Sequence, residues 1–176
     1  MRTGDDASFR EFARHRSLTL RRTAYLLCGD WHLAEDLVQT ALIKLYRVWP
    51  KVSRNGPVDN YSRQVLLRCW LDEQRRPWRR KENRDGVVPE QPDVRADPSA
   101  VAGISEPLRL ALAEVPAKQR AAVVLRYCAD LSVADTAAAL RCSEGTVKSQ
   151  AARGLETLRA AVTRREAGLL PVERSR

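Results

Sequence analysis

Apolar residues recur three and four positions apart along most of the chain, and the strict alternation of a half-buried strand does not occur. The pattern predicts an all-α protein. A first helix is expected near Ser8 to Leu27, with Phe9, Phe12, Leu18, Leu20, Tyr25 and Leu26 as its apolar positions. Gly29 can end that helix and Asp30 can cap the next. The second helix carries Leu33, Leu37, Val38, Ala41, Leu42, Leu45, Tyr46 and Trp49 on one face, at a period of about 3.6. "PKVSRNGPVDN" is rich in Pro, Gly and Asn and reads as a turn segment. A third helix begins around Val58 and carries Tyr61, Val65, Leu66, Cys69 and Trp70; Pro77 ends or kinks it.

The pattern then lapses. "DGVVPEQPDVRADPSAVAGISE", residues 85–106, holds three prolines, five acids and one cation, a composition that buries little and suits a flexible acidic linker. Helical spacing resumes at Pro107, which suits the start of a helix, with Leu108, Leu110, Leu112 and Val115 apolar. Pro116 restarts the chain, and Val123, Val124, Leu125 and Tyr127 mark the next helix. The chain thus divides into two small helical domains, residues 8–82 and 107–165, joined by a linker over 83–106 and followed by a tail over 166–176.

Near the end, "LSVADTAAALRCSEGTVKSQAARGLETLR" reads as helix, short turn, helix. Ser132 and Asp135 have capping-box spacing, and a serine at the turn can cap the last helix. Ala134 and Ala137–Ala139 are small enough to let two helix axes approach, while Val147 and Leu155 would pack inward. This is the layout of a helix-turn-helix, whose second helix enters the DNA major groove. Lys148 and Arg153 can reach phosphates or guanine edges, and Thr146, Ser149 and Gln150 offer shorter hydrogen bonds.

Charge sharpens this reading. The 176 residues carry a formal net charge of +9 and a pI of about 9.9, and 44% are hydrophobic. That is enough apolar content for a packed core, and the cation excess favours a polyanionic partner, nucleic acid first and a membrane surface second. A basic helix by itself is most often a solvated face. Here the capped preceding helix, the tight turn and the net charge together favour DNA contact. A second basic stretch, "RCWLDEQRRPWRRKENR" at residues 68–84, sets seven cations against three acids around Trp70 and Trp78. Cations hold phosphates and aromatic faces stack on unpaired bases. Trp70 continues the apolar periodicity and reads as core; Trp78 lies past Pro77 and is open to either role.

Other chemistries find little support. The histidines are His15 and His32 alone, neither beside a nucleophile, and no phosphate-binding glycine loop or metal-ligand spacing occurs. No catalytic residue, metal or cofactor is expected. Cys28, Cys69, Cys128 and Cys142 form no CxxC pair and read as reduced, mostly buried thiols. The N-terminus has no apolar run and nothing approaches a membrane span of about 18 apolar residues, so a cytoplasmic protein without membrane insertion is expected. An autonomous helix-turn-helix regulator is the rival reading, with the first block as a sensor or dimerisation unit. The basic, Trp-containing segment argues against it, because a sensor needs no strand-binding patch.

The motifs resemble a known family. "LSVADTAAALRCSEGTVKSQAARGLETLR", above all "SEGTVKS", is similar to region 4 of sigma-70 family factors of the extracytoplasmic-function group. "GDWHLAEDLVQTALIKLYRVWPKV" followed by "NYSRQVLLRCWLDEQRR" resembles region 2 of that group, and "RTAYLLCGDWHLAEDLVQTAL" looks closest to its actinobacterial SigE-like branch. The resemblance implies a non-enzymatic protein that binds core RNA polymerase and directs it to promoter DNA. It implies region 2 docking on the clamp helices, through the polar helix face of Glu35, Asp36 and Gln39, and region 4 docking on the flap. It implies duplex reading of the upstream element by Thr146, Lys148, Ser149, Gln150, Ala152 and Arg153. The downstream element would be held as melted strand by Asn60, Arg68, Arg75, Arg76, Trp78, Arg79 and Arg80, with a base pocket formed within Lys51 to Asn60 and the start of the third helix. An anti-sigma protein is a further partner the family allows. Three departures stand out: Arg68 replaces a frequent asparagine, Ala152 is small where others place a larger side chain, and Arg141 occupies a turn position that is often glycine, where a left-handed arginine costs about 1 kcal/mol or more.

Overall fold

A computed structural model of the protein describes residues 3–75 and 103–169, and among these residues every regular element is a helix. In chain order they are α1 (Thr3–Cys28), α2 (Trp31–Asn55), α3 (Val58–Gln74), α4 (Glu106–Glu114), α5 (Ala117–Val123), a π-helical turn (Val124–Cys128), α6 (Val133–Leu140) and α7 (Glu144–Leu169). The first three pack on one another; α4, α5 and α6 all pack on α7.

The α1–α2 junction follows the expected local rules. Gly29 takes φ +72° and its N–H returns to the Tyr25 carbonyl at 2.7 Å. The Asp30 carboxylate then accepts from the Leu33 N–H at 2.7 Å, capping α2. α2 buries Trp31, Ala34, Leu37, Val38, Ala41, Leu45 and Trp49 in one stripe. Tyr46 departs from the expected stripe: it is exposed, edge-on to Phe9 at 5.0 Å, and its hydroxyl donates to Asp6 at 2.8 Å. That hydrogen bond to the carboxylate raises the Tyr46 pKa. α1 begins five residues before Ser8 and supplies these rim partners.

The expected turn after Trp49 is mostly helix. α2 runs through Pro50 as far as Asn55, and the chain reverses only at Gly56, φ +151°, and Pro57. An interior proline removes one helical hydrogen bond and disfavours continuation by about 3 kcal/mol. Buried Trp49 offsets this by packing on Phe9 and Phe12, each at 5.1 Å, and donating from Nε1 to the Ser8 hydroxyl at 2.9 Å. Tertiary burial thereby overrides local propensity.

In the second unit, Ser105 caps α4 by accepting from the Leu108 N–H at 3.3 Å, so Glu106 lies inside the helix rather than in the linker. α5 widens into the π turn, where the Ala129 N–H reaches back five residues to the Val124 carbonyl at 2.9 Å. The extra residue rotates Tyr127 out of the apolar stripe, and it is 58% exposed instead of buried. The cysteines are all free, but only Cys69 is buried; Cys28 and Cys142 are half-buried and Cys128 is exposed. A small side chain in the core counts as buried only where its own helix face turns inward, and Cys128 sits at the end of the π turn.

The two units share one continuous core. Leu27, Leu66, Leu67 and Trp70 belong to the same buried cluster as Leu112, Val124, Leu125 and Leu131. Polar contacts reinforce it. The Arg120 guanidinium donates to the Leu27 carbonyl at 2.8 Å and to the Val115 carbonyl within its own unit at 3.0 Å. Arg109 is paired with Glu106 through two hydrogen bonds, at 2.8 and 2.5 Å, and also donates to the Gly29 carbonyl at 3.3 Å. The hydrogen bond from Arg109 holds the Glu106 carboxyl below the usual glutamate range. A third link joins the Asn60 amide to the Asp135 carboxylate at 3.2 Å.

Within the second unit, Gly154 of α7 lies close against α5. A Cβ there would lie 2.7 Å from Val123 Cγ2 and 3.0 Å from the Gln119 carbonyl oxygen. Gly154→Ala gains helix propensity of up to about 1 kcal/mol but overpacks a backbone contact, which costs about 1–3 kcal/mol. The variant is expected to unfold at lower urea concentration than the parent, with an unchanged denaturant slope.

Candidate nucleic-acid and protein interfaces

Three surfaces gather the residues singled out by the sequence. The first is the start of α7. The Ser143 hydroxyl accepts from the Thr146 N–H at 3.1 Å and pairs with the Thr146 hydroxyl at 2.9 Å. Buried Val147 and Ala151 fix the helix rotation. The opposite face then presents Thr146, Lys148, Ser149, Ala152 and Arg153 to solvent, whereas Gln150 is half-buried. The Ser149 hydroxyl folds back onto the Thr146 carbonyl at 3.0 Å. Lys148 and Arg153 are the exposed cations of this face, and Ala152, also exposed, is its smallest side chain.

The turn before this helix carries Arg141 in the left-handed region, at φ 54° and ψ 49°. Its N–H reaches the Ala138 carbonyl at 3.4 Å, and the Cys142 N–H reaches the Ala137 carbonyl at 3.1 Å. These bonds close a Schellman-type end to α6. The helix-turn-helix geometry thus forms with an arginine at the position that glycine fills most easily.

The second surface is a cavity of about 440 Å³ at the α2–α3 junction, lined by Lys51, Asn55, Gly56, Asn60, Tyr61 and Gln64 among others. The Asn60 carbonyl oxygen accepts from Arg63 at 3.4 Å, so its amide nitrogen is the group turned toward Asp135. Helical spacing brings Asn60, Gln64, Arg68 and Arg75 to one side of α3. Arg68 is half-buried with its Nε enclosed and without a hydrogen-bond acceptor among the described residues, and Arg75 is exposed, 3.9 Å from Asp72. Trp70 is fully buried and belongs to the core, as its periodicity predicts. Arg76, Trp78, Arg79 and Arg80 lie outside the described residues. Gln64 and Tyr61 were missed as pocket residues; the signal was their placement one turn and one residue after Asn60.

The third surface is a groove of about 650 Å³ between α2 and α3. It brings Asp36, Gln39, Thr40 and Lys44 together with Ile43, Asp72 and Glu73. Glu35 does not join them; it is half-buried and faces α1, 3.9 Å from Arg21. The groove floor is apolar, with Leu37 and Cys69, whose thiol pKa is raised by burial. Ile43, 56% exposed, is an apolar side chain on a polar face. It sits at i+7 from Asp36 and i+4 from Gln39, off the core stripe of α2 and on the same side as those residues.

Residues 12–80 match the family Sigma-70 region 2, and residues 105–158 match Sigma-70, region 4. The RNA polymerase sigma-E factor of Streptomyces avermitilis is 36% identical over 176 residues, covering 99% of this chain and 96% of that protein. The chain belongs to the sigma-70 family of RNA polymerase sigma factors, in the extracytoplasmic-function group. A relative carrying the group's name, the ECF RNA polymerase sigma factor SigM of Mycobacterium tuberculosis, is 31% identical over 85% of this chain and 74% of its own length. Among solved structures, the sigma factor RpoE of Bartonella quintana, determined in complex with the anti-sigma factor NepR, shares the fold. Its TM-score is 0.65 at 23% identity, covering 88% of this chain and 98% of that one. This sigma factor has no described helix long and apolar enough to cross a membrane.

Arg141→Gly in this sigma factor relieves a left-handed strain of about 1–2 kcal/mol and adds about 0.5–1 kcal/mol of unfolded-chain entropy. The net expectation is a stabilisation of up to about 1 kcal/mol, read as a higher thermal midpoint.

Proposed function

We propose that the chain binds core RNA polymerase and directs it to specific promoters, reading the upstream element as duplex and the downstream element as melted strand. It is a sigma factor that directs transcription; the proposal concerns how. Residues 8–82 would carry polymerase docking and strand capture, residues 107–165 would carry duplex reading, and 83–106 would tether them. The observation that carries it is the start of α7, where a capped helix with buried Val147 and Ala151 holds Lys148 and Arg153 outward. That is the chemistry of a major-groove reader. The α2–α3 groove supplies the second half. Asp36, Asp72 and Glu73 surround an apolar floor, which suits a charged helical partner such as the clamp. Thr146, Ser149, Gln150 and Ala152 would complete the upstream contact, while Asn60, Arg68, Arg75, Arg76, Trp78, Arg79 and Arg80 would hold the strand. Glu35, turned toward Arg21, would support the docking face from behind. An anti-sigma protein, as in the RpoE–NepR complex, is a candidate regulator.

Co-elution of the purified chain with core polymerase of its own source tests this directly. The Asp36→Ala, Gln39→Ala double variant is expected to weaken that association roughly tenfold while retaining the parent's unfolding midpoint. Unchanged core affinity would remove these residues from the docking face. A chain that binds duplex DNA but no core polymerase would instead be an autonomous regulator. Arg153→Ala is expected to lower promoter affinity by about 1–3 kcal/mol, with discrimination relaxed at one base pair. A uniform loss on every sequence would assign Arg153 to a phosphate.

A further inference from the structure

Arg141 and Asp130 are the two non-glycine residues with positive φ among the described residues, at 54° and 53°. Aspartate enters this region with help from its short polar side chain, and arginine has no such help. Nothing within the fold offsets the cost. The Arg141 side chain is exposed and makes no hydrogen bond or ion pair among the described residues, although Glu144 lies only three residues on. Its backbone, by contrast, is pinned. The Arg141 N–H bonds the Ala138 carbonyl at 3.4 Å, and the Cys142 N–H bonds the Ala137 carbonyl at 3.1 Å. A long cationic side chain is thus anchored at a fixed point of the turn. That turn joins two elements with set places on a duplex. The first helix of a helix-turn-helix crosses the phosphate backbone, and the second enters the major groove. The segment between them stands beside the phosphates that border the groove.

We infer that Arg141 is a phosphate contact, supplied by the turn to the duplex-binding face of α7. This rests on the duplex-reading role proposed for the start of that helix. Lys148 and Arg153 are likewise exposed and without an ion pair among the described residues, so all three cations are available to an anion. Along α7 the residue before Arg153 is Ala152, whose methyl group offers a phosphate nothing; the turn adds the third cation instead. The planar fork of a guanidinium matches phosphate oxygens, and such a contact positions the protein without reading sequence. Fold stability and duplex affinity are thereby set against each other at this residue. Arg141→Gly relaxes the turn and gives up the contact. A purely structural role for position 141 predicts the opposite coupling, in which the more stable chain binds duplex at least as well.

The test is fluorescence anisotropy of the full chain with two short labelled duplexes, one A·T-rich and one G·C-rich, titrated at several KCl concentrations. Arg141→Gly is expected to bind both about three- to tenfold more weakly than the parent. The slope of log affinity against log salt should shrink by about one, while the thermal midpoint stays no lower than the parent's. Arg141→Asn, whose side chain tolerates the left-handed region, should repeat the loss. Arg141→Lys keeps the charge and should keep the parent's slope. Arg14→Ala removes an exposed cation from α1 and controls for net charge; its affinity should stay within about twofold of the parent's. Unchanged affinity in Arg141→Gly, an equal loss in Arg14→Ala, a loss on one duplex alone, or a reduced slope in Arg141→Lys would each overturn the phosphate contact. Lys148→Ala and Arg153→Ala separate the two ideas. Losses there without a loss in Arg141→Gly leave α7 as the reader and remove Arg141. A loss in Arg141→Gly without losses there leaves the turn contact and removes reading by α7.

Discussion

A helix leaves its last carbonyls without amide partners, and at the end of α1 those carbonyls are answered from the other half of the chain. Arg120 reaches Leu27, and Arg109 reaches Gly29. The negative end of the α1 dipole favours both cations. Arg120 is desolvated in doing so, which lowers its pKa, but a guanidinium remains charged under these conditions. Removing a hydrogen-bonded charge from water is tolerated only when several acceptors replace the lost hydration. Arg120 finds them at Leu27, Val115 and Ala113. Together with the shared apolar core, this pair of contacts holds the two units side by side, the arrangement in which Asp135 reaches Asn60.

The second unit is organised around α7. α4, α5 and α6 converge on it, and the absence of a side chain at Gly154 lets the Gln119 backbone come close. Glu114 pairs with Arg164 and Arg165 and ties the far end of α7 to the end of α4. With both ends held and Val147 buried, the rotation of α7 is set by packing, and the exposed face is decided by what is left over. The side chains of the exposed face are thereby held at a defined angle by the core itself.

The first unit solves a different problem. Its α2 must present a polar groove on one side and bury a broad apolar stripe on the other. Ile43 is exposed on the polar side and lines the groove together with Asp36, Lys44, Asp72 and Glu73. The same helix passes through Pro50, and its last turn lines the α2–α3 cavity. The groove and the cavity therefore lie along one element, so a displacement of α2 acts on both.

Much of this was legible in the residues. The apolar period, the Asp30, Ser132 and Ser143 caps and the helix-turn-helix pattern depend on interactions within about one helical turn, which the local sequence encodes directly. The burial of Trp70 and Val147 followed from the same period. Local rules failed where distant groups decided. Pro50 reads as a breaker, yet Trp49 is held by Ser8, Phe9 and Phe12, some forty residues away in sequence. Tyr127 fits the apolar stripe, yet one extra residue in a π turn rotates it into solvent. Glu35 and Asp36 are neighbours in sequence but face different helices, because a step of about 100° per residue separates adjacent side chains. By itself the sequence determined that the chain is helical, where the capped helices α2, α6 and α7 start, and most of the apolar face of each. Only the tertiary structure decided how the two halves sit together, because their contacts join backbone carbonyls, which every residue possesses, to arginines whose partners no local pattern announces.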